Sequence, residues 1–183
     1  NPFYLEELIR MTAVGTDGAL PETALGLVQA RLDALGPDAK LVLRAASVFG
    51  EAFWRGGLGA LLGPDASEAT QLGDWLVHLV DRGVFVPRRQ TRFAGEPELV
   101  FRHPLLREAA YAMLPPADRR EAHRRAVEWL LAAGERDPAV LAEHHAAADD
   151  GASAARAFLD AAQLSLVRND LNRALLHAER ALA

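Results

Sequence analysis

The chain has 183 residues and no cysteine, half of its residues are hydrophobic, and its formal net charge is −5. These values exclude disulfides and thiolate metal sites, and they disfavour generic affinity for nucleic acid, which depends on lysine and arginine contacts to phosphates. No run approaches the roughly 18 to 20 apolar residues that a membrane span requires. We therefore expect a cytoplasmic protein without a membrane partner.

The first 36 residues predict two amphipathic helices. The first follows the i, i+3, i+4 spacing of Leu5, Leu8 and Ile9 and is broken by the glycines at 15 and 18. The second helix has one apolar face, and Gly36-Pro37 ends it and starts the next helix. That apolar face is formed by Leu25, Val28, Leu32 and Leu35.

Two further helices are predicted over residues 37–62. In the first of them, Leu41, Ala45 and Val48 have helical spacing and are expected to face inward. The second is a short helix from Phe53 to Leu62, which three glycines interrupt. Since glycine weakens a helix interior, this segment is the least regular part of the predicted fold.

Residues 72–102 predict a helix followed by a β-hairpin. Apolar residues recur at helical spacing from Leu72 to Leu79, Gly83 caps the helix, and two strands follow at 84–86 and 98–102. Helices followed by a two-stranded hairpin are typical of a winged-helix domain. The predicted fold class is therefore mainly α, with one small β-hairpin.

Beyond the hairpin the pattern is entirely helical. One helix has an inward face from Leu106 to Met113, and a second ends at Gly134 and has an inward face formed by Ala122, Ala126, Trp129 and Leu130. From residue 137, short helices alternate with turns at 149–151 and 169–170. The recurring alanines there predict antiparallel helix pairs like those of tetratricopeptide (TPR) repeats, and we expect the array to continue past residue 183, because about three repeats are needed for stability.

Three ordered motifs resemble the carboxy-terminal part of a bacterial STAND-type, AAA+-related signalling ATPase module. They are N-P-F-Y-L-E-E-L at 1–8, L-P-E-T-A-L-G-L-V-Q-A-R-L-D-A-L at 20–35, and F-R-H-P-L-L-R-E-A-A-Y-A-M-L at 101–114. Such modules occur in LuxR-type regulators, adenylate cyclases and multidomain Ser/Thr kinases, and residues 129–137 most resemble the kinase-linked versions. The resemblance implies a helical lid (1–36), a winged-helix-like domain (37–114), a linker helix (115–136) and the start of TPR-like repeats (137–183).

The resemblance also implies two nucleotide contacts. His103 matches the histidine that contacts the β-phosphate of bound ADP, and Pro2 matches the proline that packs on the adenine. The chain has no G-x-x-x-x-G-K-[ST] loop to hold phosphates, and it starts at Asn1 within a predicted helix. We therefore expect a non-catalytic piece of a longer ATPase, which in kinase-linked versions is also a Ser/Thr kinase. ADP or ATP with Mg²⁺ would bind the parent protein, with the P-loop domain as partner and a protein or small-molecule effector at the TPR-like region.

Simpler interpretations of the same two residues stay open. His103 could cap the helix that starts at Pro104 or pack against Tyr111, and Pro2 could simply begin a helix. An alternative function is a stand-alone winged-helix DNA-binding regulator or a protein–protein adaptor. Three arginines of the hairpin wing suit phosphate contacts, although the preceding helix carries aspartates where base-reading residues would lie; the arginines are Arg88, Arg89 and Arg92.

A metal site is not expected. Glu143-His144-His145 lies near Asp149 and Asp150, but neighbouring histidines on a helix point about 100° apart. The H-E-x-x-H spacing of zinc-binding helices is missing. The four arginines between 119 and 125 alternate with glutamates as on the polar face of an amphipathic helix. No catalytic nucleophile or pair of carboxylates is recognisable.

Overall fold

The computed structural model describes residues 34–63 and 69–182, together with Val28 and Leu32. This part of the chain is mainly helical and contains one small antiparallel sheet. Its eight helices and three strands follow in this order: α1 (Pro37–Phe49), β1 (Ala52–Trp54), α2 (Arg55–Leu62), α3 (Ala69–Asp81), β2 (Phe85–Pro87), β3 (Glu98–Phe101), α4 (Pro104–Ala112), α5 (Pro116–Ala133), α6 (Pro138–Ala147), α7 (Gly151–Val167) and α8 (Leu171–Leu182).

The sheet has three strands, whereas the sequence predicted a two-stranded hairpin. The hairpin strands β2 and β3 pair antiparallel as expected, and β1 pairs antiparallel with the other side of β3, giving the order β1-β3-β2. The predicted helix from Phe53 is thus wrong in its first two residues. Phe53 packs between the rings of Phe85 and Phe101, with centroid distances of 4.6 and 5.6 Å. Long-range pairing with β3 therefore decides the conformation of a segment whose local pattern is ambiguous.

The glycines of α2 permit close packing and do not prevent the helix. A Cβ atom at Gly57 would lie 2.7 Å from Cζ of Phe49 and 3.2 Å from Cε3 of Trp129. At Gly56 the backbone N–H donates to Oε2 of Glu96 over 2.9 Å, and a Cβ atom there would collide with the same carboxylate. A short helix can therefore lie directly against aromatic rings because it has no side chains at these positions.

The main hydrophobic core lies between α1, α3, the sheet and α4. Three residues of the second predicted helix, Val28, Leu32 and Leu35, are buried in this core as expected, whereas Leu25 lies outside the described residues. Ala45 and Val48 are buried as predicted. The prediction for Leu41 is wrong, because 45% of this side chain is exposed; it lies on the outer edge of the apolar stripe of α1, beyond the reach of the core.

A second cluster joins the sheet to α5 and α6. The ring of Trp54 stacks on Trp129 at a centroid distance of 5.7 Å and packs on Phe93, which lies in the loop between β2 and β3. Leu130 is buried beside them, as its helical spacing predicted. Because these side chains come from β1, the hairpin loop and α5, the apolar contact fixes α5 against the sheet.

The last three helices pack successively, α6 on α7 and α7 on α8. Short turns at Asp149 and Asn169, both with positive φ, connect them where the sequence predicted turns. Their small core consists of Phe158 and several alanines, consistent with close helix packing. None of the helices in the described ranges is long and apolar enough to cross a membrane.

Candidate functional site

His103 lies at the junction between β3 and α4. Its backbone is extended, and its Nδ1 accepts a hydrogen bond of 3.2 Å from the N–H of Leu105 in the first turn of α4. The ring therefore caps the helix, which is the simpler role that the sequence left open. Since Nδ1 accepts, a neutral ring carries its proton on Nε2, which is then a hydrogen-bond donor.

The second residue implied by the resemblance, Pro2, lies outside the described residues. The structure therefore gives no distance between Pro2 and His103. The two residues remain a predicted pair, and only His103 has a described environment.

Two of the three arginines that follow β2 are engaged in ion pairs. Arg88 lies 3.3 Å from Glu51 and 3.2 Å from Glu98, and Arg92 lies 2.6 Å from Oε1 of Glu135. Glu98 is buried and also accepts from the indole Nε1 of Trp54 over 3.2 Å. Acidic side chains of the protein itself thus neutralise two of the three arginines that would face phosphates in a DNA-binding wing.

Glu135 is the centre of a contact between the hairpin loop and the turn that follows α5. Only 1% of its side chain is exposed. Its Oε1 accepts from the guanidinium of Arg92 and from the backbone N–H groups of Arg136 and Asp137, both at 2.8 Å. The sequence did not indicate this contact, because Glu135 lies in a polar run that reads as a solvated linker.

A chain of polar side chains joins α4, α5 and α6. The hydroxyl of Tyr111 lies 2.9 Å from Nε2 of His123, and Nδ1 of His123 lies 2.9 Å from Nδ1 of His144. Both imidazole rings are buried, with 7% and 5% of their surface exposed. One proton at most lies between the two Nδ1 atoms, so the contact requires that at least one ring lacks a proton there.

The environment of this chain favours neutral histidines. Burial, followed by the nearby guanidinium groups of Arg107 and Arg119, lowers the pKa of His123 from 6.5 to about 4. Burial, followed by the two neighbouring histidines, lowers the pKa of His144 to about 3. Near neutral pH the pair is therefore uncharged, and it serves as a hydrogen-bonded link between helices.

The sequence did not predict this chain of contacts. His123 has arginines on both sides in α5 and looks like a member of the polar face, and His144 was considered only with its sequence neighbours. In the structure Glu143 pairs with Arg180 of α8, and His145 lies 3.3 Å from Asp150. No group of three or more histidine, cysteine or acidic side chains is placed to hold a metal ion in the described ranges.

The side chains at these sites can bind a ligand or hold neighbouring helices in position. His103 presents an imidazole at a helix start, and the Tyr111–His123–His144 chain joins three helices beside a groove lined by residues of α1, α4, α5 and α6. Comparison with known proteins gave no match to a family model, to a curated protein or to a solved structure.

Proposed function

We propose that this chain is a regulatory, non-catalytic segment of a multidomain signal-transduction ATPase. In this proposal residues 37–114 form a winged-helix-like domain, residues 115–136 a linker helix, and residues 137–183 the first TPR-like helices. The nucleotide, ADP or ATP with Mg²⁺, would bind a P-loop domain elsewhere in the parent protein. The segment would couple the state of that nucleotide to an effector bound at the helical repeats.

The observation that carries the proposal is the position of His103. It lies two residues after the end of β3, caps α4 and holds its ring with Nδ1 toward that helix, so a neutral ring has its N–H donor on Nε2. A hydrogen bond to a charged acceptor contributes roughly 1.5–3 kcal/mol, and each ~1.4 kcal/mol is a factor of ten in affinity. One contact to the β-phosphate would therefore change ADP retention about 10- to 100-fold.

Coupling of the nucleotide state to the effector also requires contacts between the part with the sheet and the last three helices. Two polar contacts support such a connection. The Arg92–Glu135 ion pair joins the hairpin loop to the turn after α5, and the His123–His144 contact joins α5 to α6. Both involve buried side chains, so a shift of the sheet would be transmitted to α6 through packed groups.

The test is ADP release from a longer protein that includes a P-loop domain. His103→Ala removes both the helix cap and the imidazole, whereas His103→Asn keeps a good capping residue and removes the imidazole. We expect ADP to dissociate about 10- to 100-fold faster from both variants. Wild-type dissociation rates in the Asn variant would show that His103 acts only as a cap and would refute the sensor role.

The alternative, a stand-alone DNA-binding regulator, has less support because Arg88 and Arg92 are paired with glutamates of the chain. Electrophoretic mobility shift with a generic duplex at increasing salt distinguishes the two functions. Tight binding by residues 1–183 that weakens steeply with salt would favour the DNA-binding function.

A further inference from the structure

An open groove of about 460 Å³ lies where α1, α4, α5 and α6 meet. This volume falls within the roughly 300–1,000 Å³ that is usual for small-molecule sites. Its polar lining residues include Arg107, Tyr111 and the buried pair His123 and His144. Its apolar lining residues are Val48, Phe49, Val140 and Ala147.

Charge in the groove is unevenly compensated. Arg107 is half-buried and lies near His123, and no carboxylate of the described residues lies within ion-pair distance of its guanidinium group. The acidic residue of the groove, Glu143, is instead held by both terminal nitrogens of Arg180. Among the residues that the structure describes, the groove therefore offers a guanidinium without a carboxylate partner together with apolar lining residues.

The neighbouring groups add to this positive character. Arg119 donates from Nε to the carbonyl oxygen of Leu114 over 2.9 Å, and its guanidinium lies 4.6 Å from the ring centroid of Tyr111. Tyr111 in turn bonds to His123 and is thereby fixed in orientation. The guanidinium of Arg107 could donate two parallel N–H hydrogen bonds to the two oxygens of a carboxylate.

We propose that this groove binds a small carboxylate that has an apolar body, with the carboxylate on Arg107 and the body against Val48, Phe49, Val140 and Ala147. Because the described lining residues include one guanidinium, that of Arg107, a carboxylate monoanion matches the lining in charge, whereas a phosphate monoester carries about −1.5 to −2 charges at neutral pH. The ligand would contact α1 and α4 on one side and α6 on the other. This proposal does not depend on the proposed ATPase function.

The experiment is an NMR titration of the full chain with 2-naphthoate, observing the side-chain signals of Tyr111, His123 and His144. Matched titrations use 2-naphthamide, which lacks the charge, and 2-naphthyl phosphate. We expect saturable shifts with 2-naphthoate, and binding at least about tenfold weaker for the amide, since a charge-assisted hydrogen bond contributes roughly 1.5–3 kcal/mol. Absent shifts, equal binding of the amide, or tighter binding of the phosphate would each overturn the proposal.

Two variants locate the site, and a third serves as their control. Arg107→Gln should weaken binding of 2-naphthoate about 10- to 100-fold, whereas Arg173→Gln, an exposed arginine of α8, should leave it unchanged. Ala147→Leu places additional methyl groups into the groove without altering charge and should also weaken binding. Unchanged affinity in both Arg107→Gln and Ala147→Leu would show that the ligand binds elsewhere and would refute the assignment.

Discussion

Acidification should destabilise this protein through the buried pair His123 and His144, well above the pH at which carboxylates titrate. The two Nδ1 atoms are 2.9 Å apart and can hold one proton between them. Burial is the main cause of the lowered pKa values, followed by Arg107 of α4 and Arg119 of α5 at His123 and by His145 of α6 at His144, and Tyr111 and Glu143 line the same groove. A second proton would place two imidazolium ions in contact inside the protein, which is strongly unfavourable.

The sign of the effect follows from the lowered pKa values. In the unfolded chain each histidine takes up a proton near pH 6.5, whereas in the folded protein uptake is delayed to about 4 for His123 and about 3 for His144. Between these limits the unfolded state binds more protons, so the free energy of unfolding falls as the pH falls. The slope is about 1.4 kcal/mol per pH unit for each histidine.

Between about pH 7.5 and about pH 5, each histidine therefore lowers the free energy of unfolding by about 2 kcal/mol, and the pair lowers it by up to about 4 kcal/mol. This is a large part of the roughly 5–15 kcal/mol that stabilises an ordinary domain. The exposed carboxyl of Asp150 does not contribute in this window, since its hydrogen bonds with Ser153 lower its pKa and keep it ionised.

Urea unfolding followed by circular dichroism at several pH values between about 7.5 and 5 measures this slope. His144→Gln removes one titrating ring and should reduce the slope by about half. Gln163→Asn, at an exposed position of α7, changes no titrating group; it is the control and should leave the slope as in the wild type. A slope that is flat in the wild type, or the same in His144→Gln, would refute the assignment of neutral buried imidazoles.

Substitutions at Glu135, Gly57 and His103 test the contacts described above by their effect on the free energy of unfolding. Glu135→Ala should cost about 2–4 kcal/mol, because it leaves the guanidinium of Arg92 and the backbone N–H groups of Arg136 and Asp137 without their acceptor, whereas Glu128→Ala, exposed on α5, should cost less than about 0.5 kcal/mol; equal effects would contradict the buried contact. Gly57→Ala should cost about 1–3 kcal/mol through overlap with Phe49, and a neutral result would mean that the ring moves aside easily. His103→Ala should lose about 1 kcal/mol with its helix cap and His103→Asn should recover most of it; if both variants lose the same amount, the ring does more than cap α4.

Much of the main core could be predicted from residue spacing. Leu72, Leu76 and Leu79 are buried in α3 because an apolar stripe at helical spacing must face the core in a protein of this size. Gly134 ends α5 in a left-handed conformation, as glycine commonly does at helix ends. The local sequence pattern also predicted the strand Glu98–Phe101 and the position of His103 at the start of the next helix.

The sequence by itself thus determined the helices, the hairpin and the site of His103, because these depend on interactions between residues close in the chain. Tertiary structure alone decided that Phe53 belongs to a strand, that Glu135 is buried beside Arg92, and that His123 meets His144. Each of these joins residues at least 20 positions apart. A buried polar group is tolerated only where a partner from another element forms a hydrogen bond or ion pair with it. The spacing of residues within one segment does not show which residue of a distant segment will be that partner.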